Sequence, residues 1–264
     1  MIHPYIVYFQ EAKSSSQKKA ESRGVSIRPS FRVQVPVAAL ISAVALLYLW
    51  FFTVYWSGLL VFIGAIMGCI IVFGSWVTLV LRRRWANKLT RLRTSDYAKL
   101  ALFISLLMAV DFSLHYIPGW IWTLIPFASA ILYYLPAAVV GVSAIRTVSK
   151  PGAALILILG YAVVSQIIWP FLAWLPYHVV WAILSEVYFS TVNDYAESMT
   201  SAVLGGWVFG LVSAAFNVVF NWATLQWWTP LFLSIPRVFV CASASVVGAV
   251  IGSRIGETAG KISL

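Results

Sequence analysis

The sequence predicts an all-α polytopic membrane protein with eight transmembrane helices, an N-terminal two-helix hairpin followed by a six-helix bundle. Three observations point there. Of the 264 residues, 61% are hydrophobic and only 10% are charged, whereas a soluble domain is about 25% charged. The apolar residues gather into runs close to the roughly 20 residues that cross a bilayer core as helix, the form that satisfies a backbone in lipid. The basic residues fall between those runs on alternate connections.

Taken in order, residues 1–35 read as a basic cytoplasmic tail carrying Lys13, Lys18, Lys19, Arg23, Arg28 and Arg32. It is too long and too charged for a cleaved signal, so the first apolar run is expected to stay as a helix. Residues 36–95 form the hairpin, with spans over 36–56 and 59–81 joined at Ser57-Gly58, and then the linker RRRWANKLTRLR. Residues 96–264 form the six-helix unit. Its spans cover 97–114, 120–145 (bent at Pro126 and Pro136), 153–169, 178–189, 201–220 and 231–253. The short fourth span of the unit can begin as early as Trp174.

Of the eighteen Lys and Arg residues, all but Arg237 fall on one side of this eight-span arrangement. By the positive-inside rule that side is cytoplasmic. A cell-membrane protein with both termini in the cytoplasm follows. The net charge of +10 is thereby explained beside the membrane, and no nucleic-acid partner is expected. Cys69 and Cys241 lie in separate apolar runs and suggest neither a disulfide nor a zinc site.

Small residues recur every fourth position in three spans. They are Ala101, Ser105, Ala109 and Ser113; Gly206, Gly210 and Ala214; and Ala244, Gly248, Gly252, Gly256 and Gly260. Such stripes let helices approach closely, either inside the bundle or against a partner. The last stripe outruns its predicted span, so Gly248 and Gly252 stand with Ala101, Ser105 and Ala109 as candidate partner-docking residues.

Charge inside the membrane is costly and marks a site or a pair. Arg146 and Lys150 fit the topology, and Asp194 and Glu197 fit a loop. Asp111, Glu186 and Arg237 remain, and a buried Glu186–Arg237 pair is one arrangement open to them. The stretch AVDFSLHYIPGWIW, residues 109–122, belongs with an aromatic excess on the outer side: His115, Tyr116, Trp120, Trp122, Trp169, Trp174, Tyr177, His178, Trp222, Trp227 and Trp228. An interfacial belt decorates both faces, so a one-sided excess suggests a pocket for a flat heterocycle. The candidate binding residues are Asp111, His115, Tyr116, Trp120, Trp122, Trp169, Glu186, Asn217, Trp227, Trp228 and Arg237. No HExxH, phosphate-binding Gly-rich loop or nucleophile elbow occurs. The chain therefore reads as a non-enzyme, with neither a metal site nor a cofactor.

The unit over about 96–264 resembles the substrate-binding S component of energy-coupling factor (ECF) vitamin transporters. The likeness lies in the six spans, the Ala101, Ser105, Ala109 stripe, and SKPGAALILILG over 149–160. That stretch, with AILSEVYF, is similar to the S components for thiamine and its pyrimidine precursors. The N-terminal hairpin departs from the family pattern. The resemblance implies a vitamin-like ligand bound near the outer face under the loops at 115–119, 170–177 and 221–230. It also implies a T subunit gripping the small stripe, two cytoplasmic ATPase subunits, and a binding unit that topples in the membrane lipid to release its ligand. A structural or assembly subunit of a larger membrane complex is the alternative.

Overall fold

The computed structural model describes residues 31–55, 68, 74, 92–117, 127–128, 130–169, 174–225 and 231–261. The second predicted span, most of the basic linker, and much of the loops at 118–126, 170–173 and 226–230 lie outside these. Seven α-helices are described: α1 Phe31–Tyr55, α2 Thr94–His115, α3 Leu135–Val148, α4 Ala153–Ile168, α5 Leu175–Tyr188, α6 Met199–Leu225 and α7 Leu231–Lys261. A π-helical turn, Ala130–Tyr134, leads into α3. A second one, Phe189–Asn193, follows α5 and precedes a 3-10 turn at Asp194–Ala196. Among the described residues five segments are long and apolar enough to cross a membrane: within α1, α2, α6 and α7, and across the π turn with α3.

Contacts fix the direction of each helix. Gln34 faces Ser201 and Ser42 faces Trp207, so α1 runs parallel to α6. Tyr48 stacks on Phe216 with ring centroids 5.1 Å apart. The first predicted hairpin helix is thus packed on the six-helix unit. Tyr177 bonds Ser213 and Trp181 meets Phe209 edge-on, so α5 and α6 are antiparallel. The remaining helices alternate likewise. One end of the bundle carries the C-termini of α2, α4 and α6 with the N-termini of α3, α5 and α7. The other end carries Arg32, Arg93, Lys99, Arg146, Lys150, Arg254 and Lys261, every described basic residue except Arg237.

The glycine stripe of α7 is turned inward onto α3. A Cβ on Gly248, Gly252 or Gly256 would run into the carbonyl of Leu135, Val139 or Ser143 respectively. That close approach lets Ser143 Oγ donate to the Gly252 carbonyl at 2.9 Å. This corrects the docking expectation for Gly248 and Gly252: their missing side chains are used in helix–helix packing inside the bundle. The packing extends to Gly256 because α7 continues to Lys261, eight residues beyond the predicted span. Gly206 and Gly210 of α6 serve the other face of α7, against Ala249 and Ser245. The stripe on α2 behaves differently. Ala101, Ser105, Ala109 and Ser113 are all exposed. The two serine hydroxyls donate back to the carbonyls of Ala101 and Ala109, so the face offers lipid or a partner helix little polarity.

The basic end is tied by the SKPG turn between α3 and α4. Ser149 caps α3 in the left-handed region at φ 47° and Gly152 enters α4 at φ 92°, a conformation that favours glycine. The first amides of a helix have no intrahelical partner, and here Glu186 of α5 supplies one. Its carboxylate accepts from the N–H of Gly152 at 2.7 Å, Ala154 at 3.0 Å and Leu155 at 3.2 Å. Lys150 pairs with Asp96 at the start of α2 at 2.5 Å, and Asp96 also accepts from the Arg93 N–H at 2.7 Å. Four helices therefore meet at one knot of charge-assisted bonds.

Candidate functional site

At the opposite end, α2, the π turn before α3, α4, α5, α6 and α7 enclose a cavity of about 390 Å³, within the usual size for small-molecule sites. Each element contributes side chains. Asp111, Leu114 and Ile117 come from α2 and its end, and Tyr133 and Tyr134 from the π turn. Tyr161 comes from α4, Trp174, Tyr177 and His178 from the start of α5, Asn217 from α6 and Arg237 from α7.

The wide π turn presents two successive tyrosines to the cavity, their rings edge to face at 5.3 Å. The Tyr133 hydroxyl lies 3.3 Å from that of Tyr161, and Asp111 is the charge that bears on both. Asp111 and Arg237 both line the cavity, and no ion pair joins them among the described residues. On α5, the Tyr177 hydroxyl and Ser213 Oγ share a bond of 2.7 Å, and His178 stacks obliquely on Tyr177 at 4.5 Å. His178 Nδ1 lies 2.8 Å from the Trp174 carbonyl. A carbonyl only accepts, so Nδ1 carries a proton, and Nε2 of the neutral ring is left as an acceptor.

Of the residues read from the sequence, Asp111, Asn217 and Arg237 meet at this cavity, joined by Trp174, Tyr177 and His178 from the aromatic excess. Tyr116 and Trp169 do not line it. Tyr116 is 73% exposed and Trp169 39%, and both lie against the exposed ring of Phe112, as an interfacial belt would place them. The stretch at 109–122 is therefore divided: its acid lines the cavity and its tyrosine faces outward. His115 ends α2, and its side chain is outside the described set, as are Trp120, Trp122, Trp227 and Trp228. Glu186 lies two turns of α5 beyond His178, on the knot at the basic end, so it neither lines the cavity nor pairs with Arg237. Among the described residues no three His, Cys, Asp or Glu side chains gather as metal ligands would.

Tyr133, Tyr134 and Tyr161 were missed in the sequence. A usable signal existed. A tyrosine deep in an apolar run needs a partner for its hydroxyl, and two in succession ask for two such partners.

The helices and the cavity together define a multi-pass, all-helical membrane protein with a polar and aromatic recess at one end of its bundle. No protein-family model, curated protein or solved structure matches the chain.

Proposed function

We propose that this chain is the solute-binding membrane subunit of an ATP-driven importer in the cell membrane, taking a flat, vitamin-like heterocycle into the cavity. The observation that carries this reading is the convergence of Asp111, Asn217, Arg237 and His178 on a recess walled by Tyr133, Tyr134, Tyr161, Trp174 and Tyr177. Polar groups placed on aromatic walls orient a planar ligand. The recess is at the end poor in basic residues, which the positive-inside rule assigns to the exterior, leaving both termini cytoplasmic. The exposed small stripe of α2 suits a membrane partner such as a T subunit, through which separate ATPase subunits would act.

Thermal denaturation of the purified full-length protein across a vitamin and heterocycle panel, thiamine and its pyrimidine precursors included, tests this. Stabilisation by one compound that Asn217→Ala or Tyr161→Ala removes is expected. No stabilisation by any member, with no small molecule copurifying, overturns it. The alternative, a structural subunit of a larger membrane complex, draws on the same α2 stripe. It is favoured if the chain copurifies with membrane proteins but without any ATPase.

A further inference from the structure

We propose that the solute is an aromatic monocarboxylate whose carboxylate is received by Arg237 and whose far edge carries hydrogen-bond donors. This rests on the solute-binding reading and names the chemistry of its ligand. Arg237 is half-buried on the second turn of α7 and lines the cavity. Its guanidinium makes no hydrogen bond or ion pair with another side chain among the described residues. An arginine in a spanning helix is costly unless it is paired, and its five donors call for acceptors. A cavity-facing guanidinium of this kind is completed by an anion from the ligand. The planar fork matches a carboxylate in two parallel bonds.

The rest of the lining limits the ligand further. Asp111 lines the same cavity, so a second negative charge on the ligand would be repelled from that side. A monoanion fits where a phosphate ester does not. Asp111 is an acceptor, and so is Nε2 of His178 once Nδ1 is committed to Trp174. The ligand edge facing them must donate, as a ring N–H, a hydroxyl or an amino group does. The tyrosines between the two ends fit a ring.

Native mass spectrometry of the full-length protein in detergent, incubated with matched sets of aromatic compounds, separates the possibilities. One set is indole-3-propionate, tryptamine, 3-ethylindole and tryptophan; a second is 3-(4-hydroxyphenyl)propionate, tyramine and 4-ethylphenol. Carboxylate-bearing members should be retained at least about tenfold more tightly than their amine and neutral counterparts, which corresponds to about 1.4 kcal/mol. Arg237→Gln should abolish that preference and Arg237→Lys should keep part of it. Asp111→Asn, which leaves Arg237 in place, should admit phosphorylated or dicarboxylate rings. Amines or neutral rings bound as well as the carboxylates, or a preference that survives in Arg237→Gln, would overturn the inference and leave solute binding standing. Retention of no aromatic compound by the wild type would overturn both.

Discussion

Tyr133 and Tyr161, on the π turn before α3 and on α4, hold their hydroxyls 3.3 Å apart at the wall of the cavity, with Asp111 bearing on both. The pair joins two helices and lines the recess at once. Tyr161→Phe removes one hydroxyl and leaves the other short of a partner. Stability should fall by about 1 kcal/mol, the net worth of such a bond, read as a lower melting temperature. Solute affinity should fall as well, whereas a residue that only packs would change melting alone.

Glu186 gives the opposite pattern. Its carboxylate accepts three amides at the start of α4, and it lies about 12 Å from His178 by helical rise. Glu186→Gln keeps one acceptor oxygen and turns a donor toward donors. Unfolding should become easier by about 2–3 kcal/mol, the scale of losing charge-assisted bonds in a buried place. Solute affinity of the folded fraction should stay within about twofold, since no lining group of the cavity moves. A large loss of affinity in well-folded protein would place Glu186 in the binding site.

Glycines on one face of α7 should differ sharply in tolerance. Gly252→Ala drives a methyl against the Val139 carbonyl, while at Gly260 the nearest atom to an added Cβ is the Thr147 carbonyl at 3.8 Å, an ordinary contact. Gly252→Ala should cost about 1–3 kcal/mol as overpacking. Gly260→Ala should be neutral or stabilising by up to about 1 kcal/mol, through helix propensity. Parallel melting curves of the two variants decide this; equal behaviour would mean that α7 is not clamped on α3.

The exposed α2 stripe gives a prediction about association. Ser105→Leu adds bulk on a face that packs against no described helix, so stability should change by less than about 0.5 kcal/mol. Copurification of a membrane partner should drop. Undiminished partner yield would remove this face from the docking surface.

Much of the helical pattern could be read directly because lipid solvation writes it in long apolar runs. The span predicted at 153–169 is α4 to within a residue, since the SKPG turn before it and Pro170 after it are both strong stops. Where tertiary contacts override local pattern, reading failed. The apolar pattern ends the last span at Ser253, with Arg254 next, yet the α3 packing carries the helix on through Gly256. The site was legible where a charge stood alone in an apolar run, as Asp111 and Arg237 do. Glu186 bears the same signature but is used as a helix cap, and spacing cannot tell a cap from a ligand contact. The tyrosines were hidden because one π turn, invisible in periodicity, decides which way Tyr133 and Tyr134 face.

An electron cryomicroscopy structure of the protein purified from its own membranes with its retained solute tests the binding cavity most directly. Compact density for one planar molecule, bounded by Tyr161, His178, Asn217 and Arg237, is the predicted result. A collapsed recess, or one occupied by a lipid acyl chain, would contradict it.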